Sequence, residues 1–411
     1  TPLDAEIEKS LYFQYLKTVY QIPNLKETQT FLVSDGNLLL IDDEEAKGWK
    51  DFLKQLKLPS SALKIESIGK DFKNLDSKDN IIAECENKIR KFKPLTIILD
   101  LRLHDSDFEE DDPTKLTGFK VLEKIKGYYD ENKSFVQGIN PGIQVILFTA
   151  SNKVWNYQAL ETIGFDGWIT KESPELSLDP TFTQKAIKDL KNQIYFCQKR
   201  AFFLIKVSNE LILLKDLITK NNNFESEKDE TRKKFFSNFD ITFDLLEKAT
   251  QSKDYEKYFN YAYLQLFLII EEWLKLDFVF VEENGSCSVI NGDNRYLIRK
   301  PIEENIYEYA ISWKEENKKG FYVIENCSKE NKKSYEDTMF KMSAVLLFRY
   351  GVKTMKDHEW RQISWVRNNK AAHPENSIVT EYEISKLMKF MLFLFDLDNT
   401  QKELNINKLE M

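Results

Sequence analysis

Short apolar runs alternate with helical stretches through much of the first half of the chain, and this alternation limits the possible folds more than any other feature. The helical patterns lie near residues 45–57, 79–91, 118–131 and 152–163, between five runs at 38–41, 65–68, 95–99, 144–148 and 167–169. Buried apolar strands that alternate with helices are typical of βαβ units and a parallel sheet. We therefore predict a doubly wound, flavodoxin-like α/β domain with five parallel strands, whose ligands bind at the carboxyl ends of the strands.

The remaining segments are predicted to be mainly helical, so the fold class is α/β plus all-α. The predicted boundaries are an N-terminal helical extension at 1–35, the α/β domain at 36–178, a linking helix and loop at 179–232, and a helical bundle at 233–411. Apolar helices are expected in the bundle near 235–250, 254–276, 335–350, 357–371 and 380–397. A small β insertion is expected from short strands within 278–300 and 320–327, with a turn at Asn284-Gly285.

The linking helix carries a seam of residues that recur at alternating steps of three and four, close to a heptad pattern. Eight of the ten seam residues are apolar: Ile187, Leu190, Ile194, Cys197, Ala201, Leu204, Ser208, Leu211, Lys215 and Ile218. Two interpretations are open. The seam is either a coiled coil between protomers, which we favour and which predicts a homodimer, or the buried face of a helix that packs within one chain.

The composition favours a cytoplasmic protein with no membrane partner. No apolar run reaches the roughly 18 residues that a membrane span needs, and the chain does not begin like a signal peptide. The cysteines lie far apart without a CxxC pair, which indicates free thiols in a reducing compartment. The net charge of −8 argues against a general nucleic-acid coat but allows a local basic site.

Three carboxylates stand directly after two of the predicted strands. Asp42 and Asp43 follow the first run, and Asp100 follows the third. Because the carboxyl ends of parallel strands meet at one rim, we expect these side chains to lie close together. Clustered carboxylates repel unless a cation lies among them, and oxygen ligands of this kind suit Mg²⁺. The fourth and fifth runs place Thr149 and Lys171 at the same rim, a set that suits phosphoryl transfer to a carboxylate.

These residues, in this order over residues 37–173, resemble the receiver domains of response regulators. The resemblance implies that Asp100 accepts a phosphoryl group and that Asp42 and Asp43 bind Mg²⁺ together with it. It implies that Thr149 and Lys171 contact the phosphoryl group and that Trp168 occupies the aromatic switch position. A histidine kinase or another phosphodonor is then the expected partner.

Two features depart from the receiver pattern. Glu172 stands where family members usually have proline, and a long acidic segment at 105–112 precedes the expected glycine, Gly118. Either departure would change the dephosphorylation rate or the choice of donor. A flavodoxin-like domain that takes no phosphate is the open alternative, and the acidic segment by itself is best interpreted as a solvated insertion.

A second group of residues suited to chemistry lies at 365–374. Arg367 is followed by Asn368, and His373 comes after five intervening residues. Cleavage of RNA by its own 2′-hydroxyl needs a proton-transfer group that titrates near neutrality and a cation that holds the phosphate, which histidine and arginine supply. The segment is similar to the R-x(4–6)-H motif of the HEPN superfamily, all-helical domains that include metal-independent ribonucleases. The resemblance implies Arg367, Asn368 and His373 as catalytic residues acting on RNA.

The spacing of this motif requires a helix end or a second subunit. Six residues turn a continuous α-helix by about 600°, so Arg367 and His373 would not share a face unless the helix ends near Pro374. In the HEPN superfamily the motifs of two subunits commonly meet across a dimer interface. The local charge suits a phosphate ligand, since seven basic and two acidic residues give 341–373 a charge of +5.

The two resemblances together predict a response-regulator effector in which phosphorylation of Asp100 controls a HEPN-like endoribonuclease. Such a fusion would fit bacterial stress responses or antiphage defence. One alternative is a non-enzymatic binding or dimerisation module, with Arg367 capping a helix and His373 satisfied at its end. A transcription regulator ranks last, because no helix-turn-helix or basic recognition helix is present.

Overall fold

The computed structural model describes most of the chain as two compact units, Thr1–Ser208 and Asn209–Met411. The described residues are 35–45, 48–57, 60–130, 135–149, 164–171, 180–220, 229–277, 279–291, 294–303, 306–316, 319–330, 338–352, 355–373 and 377–409. The helix predicted in the N-terminal extension and the helix predicted near 152–163 lie outside the described residues. Each unit is described by itself.

The first unit contains the predicted five-stranded parallel sheet. Its strands are β1 (Asn37–Ile41), β2 (Lys64–Ile68), β3 (Thr96–Leu99), β4 (Gln144–Thr149) and β5 (Gly167–Thr170). They pair in parallel in the order β2-β1-β3-β4-β5, one of the two common orders of doubly wound folds. The order reverses direction at β1 and β3, so the carboxyl ends of these two strands form the rim where such folds bind ligands.

Helices cover both faces of this sheet, because alternate residues of each strand point to opposite sides. The helices are α1 (Trp49–Leu56), α2 (Lys78–Phe92), α3 (Thr117–Lys126) and the long α4 (Pro180–Lys220). Leu39, Ile97 and Val145 belong to the core formed with α2 and α3. Leu38 and Ile98 belong to the core formed with α1 and the first half of α4. Helix α3 ends at Lys126, five residues earlier than predicted, because the next residue, Gly127, has a φ of 91°.

The seam of α4 packs within one chain, so our preference for a coiled coil between protomers is wrong. Leu190, Ile194 and Cys197 are buried in the same core as Leu38 and Phe148. Further along, the seam residues Ala201, Leu204, Ser208, Leu211 and Ile218 are buried as well. Up to Cys197 the recurring apolar positions reflect a helix that covers a sheet face, and the expectation of a homodimer loses the basis of the seam.

We expect Ile194→Ala to lower the free energy of unfolding by about 2–5 kcal/mol, because it opens a cavity in this core. Phe196 is the matched control: it is two residues away on the same helix and is 59% exposed. Phe196→Ala should change stability by only about 0.5 kcal/mol. Chemical denaturation of the full chain measures both. Equal, small effects of the two substitutions would mean that the seam is not packed as described.

The second unit is a helical domain with a larger sheet than predicted. Its helices are α5 (Asp229–Ala249), α6 (Tyr258–Asp277), α7 (Thr338–Phe348), α8 (Met355–Val366) and α9 (Glu381–Leu409). Trp360 of α8 stacks on Phe267 of α6 and Phe390 of α9, with ring centroids 5.4 Å apart in both pairs. Between α6 and α7 runs an antiparallel meander, β6 (Val279–Val281), β7 (Cys287–Asn291), β8 (Asn294–Glu303), β9 (Ile306–Glu316) and β10 (Lys319–Glu330). The prediction of a small insertion therefore missed β9 entirely and underestimated the sheet.

Two expectations drawn from composition can be compared with the described residues. Within them no helix is both long enough and apolar enough to cross a membrane. Among the described residues, Cys85, Cys197 and Cys287 are buried and form no disulfide, as predicted. Their burial in packed cores gives these thiols a structural role.

Candidate functional site

The predicted acidic cluster forms at the rim of the first unit's sheet. Ile41 and Leu99 are paired neighbours at the ends of β1 and β3, so the residues that follow them emerge side by side. Each of Asp42, Asp43 and Asp100 offers a carboxylate oxygen, and these oxygens lie within 4.8 Å of one another. Asp42 and Asp100 are buried and Asp43 is half-buried, so the cluster is a pocket rather than a random acidic surface.

Lys171 joins this cluster from the end of β5. Its Nζ lies 2.9 Å from Asp42 Oδ2 and donates a short hydrogen bond to Asp100 Oδ2. The Phe148 and Trp49 rings flank the ammonium group, with centroids 5.4 and 5.9 Å away. The strand order thus brings the predicted lysine to Asp42 and to Asp100, which is 71 residues away in sequence.

Burial and mutual repulsion shape the protonation of the cluster. Burial raises the pKa of Asp42 to about 6, with a further contribution from the Asp100 carboxylate, even though Lys171 opposes this shift. Burial and the charge of Asp100 also raise the pKa of Asp43. Burial alone would lower the pKa of Lys171, but its ion pairs with Asp100 and Asp42 raise it above the ordinary value. Three carboxylates around one ammonium leave a formal charge of −2, which suits a divalent cation.

Two glycines allow the backbone to close around the cluster. At Gly69, whose φ is 145°, a Cβ would lie 1.8 Å from the Asp42 carbonyl oxygen. At Gly118 a Cβ would lie 2.2 Å from the carbonyl oxygen of Asp100 and 2.6 Å from Leu101 Cα. No side chain can be accommodated at such distances, so both positions require glycine. The glycine expected after the acidic segment therefore lies directly against the backbone of the predicted phosphoacceptor.

The acidic segment after Asp100 is organised by one buried carboxylate. Asp107 is fully buried, accepts hydrogen bonds from the amides of Leu103 and His104 and from Thr117, and lies 2.6 Å from Lys78 Nζ. The interpretation of a purely solvated insertion is therefore wrong for Asp107, although several of its neighbours are exposed. In the sequence, no local feature distinguishes Asp107 from the other acids around it.

The remaining predicted residues of this site are placed only in part. Thr149 ends β4, but its side chain lies outside the described residues, as does Glu172. Trp168 lies on β5 with 41% of its surface exposed, and its carbonyl accepts a hydrogen bond from Gln193 Nε2 of α4. A role for Trp168 as a switch stays a prediction.

The second predicted motif lies where a helix of the second unit changes its form. Helix α8 ends at Val366 and continues as a single π-helical turn, Arg367–Ala371. The Ala372 amide donates to the Arg367 carbonyl and the His373 amide to the Lys370 carbonyl, both at 3.0 Å. The helix therefore ends just before His373, which is the geometry that the six-residue spacing required. Pro374 lies outside the described residues.

Arg367 lies against helix α6 and is partly engaged. Its guanidinium group stacks over Phe267 at 5.6 Å and lies 3.9 Å from a carboxylate oxygen of Glu271. It also donates a 3.0 Å hydrogen bond to Asn368 Oδ1. His373 and Asn368 are exposed. The half-exposed Arg367 thus begins the turn, and the exposed imidazole of His373 follows two residues after its end.

Buried polar residues of α6 hold this turn and the segments on either side of it in place. The fully buried Asn260 donates to the carbonyls of Lys370 (3.0 Å) and Ser377 (2.9 Å) and accepts from the Val379 amide (2.9 Å). Its amide therefore fixes both ends of the segment that carries His373. Tyr263 donates to the Ile363 carbonyl at 2.8 Å. Within residues 258–264, Asn260 is the polar residue that is neither aromatic nor aliphatic, and this contrast is the signal that the sequence offered.

Comparison with known proteins adds little to this geometry. No protein-family model matches the chain, and no curated protein matches it. One solved structure that matches is a bacteriophytochrome response regulator (RtBRR), at 17% identity over 38% of this chain and 78% of that chain, with a TM-score of 0.23. A likeness at that TM-score carries no argument. The five-stranded parallel sheet in the order β2-β1-β3-β4-β5 fits the receiver fold by itself.

Proposed function

We propose that the first unit is a receiver that accepts a phosphoryl group on Asp100. The observation that carries this proposal is the cluster of Asp42, Asp43, Asp100 and Lys171 at the carboxyl rim of the sheet. A histidine kinase or a small phosphodonor would supply the group. A structural ion-pair network would not need a third, half-buried carboxylate that leaves the cluster with excess negative charge.

The reaction can be written with the residues of the cluster. An Asp100 carboxylate oxygen forms a bond to phosphorus while the bond from phosphorus to the donor's leaving group breaks, and the leaving group departs with the electron pair. Lys171 holds Asp100 in place and places a positive charge beside the incoming oxygens. Asp42, Asp43 and Asp100 would hold Mg²⁺, which fits three oxygen donors and would neutralise charge on the transferred group.

Magnesium should stabilise the first unit against heating. At a concentration 100 times its dissociation constant, a ligand that binds only the folded state adds about 2.7 kcal/mol. We expect Mg²⁺ to raise the melting temperature of the wild-type chain by several degrees, and EDTA to reverse the shift. Asp43→Asn should lose most of the shift, whereas Asp105→Asn, an exposed acid outside the cluster, should keep it. The same Mg²⁺ shift in the wild type and in Asp43→Asn would remove Asp43 from the metal site.

For the second unit we propose a metal-independent endoribonuclease of the HEPN type, controlled by the receiver. Support comes from the π-helical turn, a feature frequent at functional sites, that separates Arg367 from the exposed His373. The buried Asn260 makes three hydrogen bonds that hold this segment, which suits a site that must be rigid. The exposure of Asn368 and His373 leaves both within reach of RNA or of a second protomer.

A binding module without catalysis is the second candidate for this unit. It is favoured by the contacts of Arg367 with Phe267 and Glu271, which would hold the guanidinium as part of the fold. Incubation of the purified protein with total RNA, with and without a small phosphodonor, separates the two candidates. Bound but uncut RNA in every phosphorylation state would favour the binding module.

A further inference from the structure

A groove opens between helix α8 and the beginning of helix α9 in the second unit. Its volume is about 500 Å³, within the range of about 300–1,000 Å³ that is usual for ligand sites. The buried residues Tyr263, Ile363 and Val366 line its apolar floor. One of these lining residues, Val366, directly precedes Arg367 in the chain.

Each wall of the groove presents one aromatic ring and one cation. Arg361 and Trp365 stand four residues apart on α8, and Tyr382 and Lys386 stand four residues apart on α9. Residues at this spacing share a helix face, so each pair points to the same side of its helix. Trp365 is 55% and Tyr382 is 73% exposed. Large rings usually bury most of their surface, so two exposed rings on facing walls indicate a surface that a ligand covers.

We propose that this groove binds unstacked bases of single-stranded RNA. Trp365 and Tyr382 would stack on the bases, and Arg361 and Lys386 would contact the phosphates. Proteins that hold single strands without regard to sequence combine such rings with a cationic groove. The inference rests on the ribonuclease proposal, which it deepens by naming where the substrate lies beside Arg367 and His373.

The charges around the groove favour a polyanion over other occupants. Glu383 is the acid among the lining residues, and its carboxylate accepts hydrogen bonds from Thr380 and lies 2.8 Å from Lys370 Nζ. Partial burial alone would raise the pKa of Glu383, but these partners lower it, so the carboxylate stays ionised and paired. Lys386 also donates a short hydrogen bond to Gln362, which aligns its ammonium across the groove. A base pair inside a duplex offers no free ring face, so the single strand is the form that fits.

The test measures binding in full-length His373→Ala protein, so that the strand stays intact. Fluorescence anisotropy of a labelled single-stranded RNA of about 8 nucleotides, close to the usual site size, gives the dissociation constant. We expect Trp365→Ala and Tyr382→Ala each to weaken binding about 10-fold, the usual effect of losing a stacking ring, and Trp365→Phe to keep most of the affinity. Arg361→Gln should reduce the salt-dependence slope by about 0.7, the value for one phosphate contact on a single strand.

Tyr129→Ala is the matched control, because Tyr129 is 71% exposed but lies in the first unit. It should bind RNA like the parent protein. Unchanged affinity in the Trp365→Ala/Tyr382→Ala double variant would overturn the groove, as would equal affinity for AMP and for the strand.

Cleavage is scored separately, with His373 present. RNA that binds through the groove but is never cut would leave the groove standing and remove the ribonuclease. RNA that is cut at the full rate, with unchanged binding by the double variant, would do the reverse. Absence of any binding, with or without a phosphodonor, would overturn both.

Discussion

Asp100→Asn should abolish phosphorylation of the chain by acetyl phosphate, while the wild type becomes labelled only in the presence of Mg²⁺. In the proposed reaction the carboxylate oxygen of Asp100 is the nucleophile, and the amide that replaces it cannot form the acyl phosphate. The dependence on Mg²⁺ follows from the formal charge of −2, because a cluster with that charge repels another anion. Intact-mass analysis detects the added group, and peptide mapping assigns it to the segment that contains Asp100.

The variant should fold, because asparagine has the size of aspartate and Lys171 keeps its ion pair with Asp42. Lys171→Ala is a useful second variant: it keeps the nucleophile and should slow labelling by about 10²-fold, the cost of one charge-stabilising donor. Asp105→Asn, an exposed acid on the same loop, should label normally. Equal labelling of the wild type and Asp100→Asn would place the phosphoryl group elsewhere.

The five-stranded parallel sheet could be predicted because its strands are buried on both faces. Leu38, Leu39 and Leu40 are all fully buried, so the run reads as continuous and apolar, and its end marks the rim. From there, the parallel order brings Asp42 and Asp100 together without further information. The exact partners of Asp107 depend on loop packing over long sequence separations, which a local pattern does not contain.

The antiparallel sheet was underestimated for the opposite reason. Strand β9 buries Tyr309 and Ile311, while the alternate residues Glu308 and Ala310 are only partly buried. A strand with one solvated face shows only half the apolar residues of a buried one, and the charged positions weaken its signal.

Helix α4 was wrongly predicted to form a coiled coil between protomers for a related reason. A three-four spacing shows that a helix buries one face, but it does not show what covers that face. Here a sheet core that includes Leu38 and Phe148 covers the first half of the seam. The π-helical turn at Arg367 could not be predicted from a local pattern either, because a distant residue, Asn260, donates to the Lys370 carbonyl within it.

His373→Ala should lower the rate of RNA cleavage by roughly 10²-fold or more, the usual size of a lost general acid–base contribution. The imidazole is exposed beside the end of the π-helical turn, where it can move a proton, and Arg367 can stabilise charge on the phosphate. Cleavage should proceed without added metal, since these two groups replace its functions. Binding of RNA should survive in His373→Ala, whereas Arg367→Ala should weaken both binding and cleavage.

The products identify the chemistry. If the 2′-hydroxyl attacks, the fragments carry 2′,3′-cyclic phosphate or 3′-phosphate ends, and DNA of the same sequence stays intact. A mock purification controls for contaminating ribonucleases. His104→Ala supplies a matched variant, because His104 contacts Ser106 in the first unit and has no part in the proposed site.

The hydrogen bonds around His373 determine how a loss of cleavage in His373→Ala is interpreted. Asn260 fixes the segment from Lys370 to Val379, so His373→Ala removes an exposed side chain without disturbing that framework. A fall in rate would therefore reflect lost chemistry rather than a lost fold, provided that the melting temperature is unchanged. Full-rate cleavage by His373→Ala would exclude this histidine from the mechanism. Cleavage absent for every RNA and in every phosphorylation state would assign the second unit to binding, because Arg367 and the groove beside it would then serve only to hold the strand.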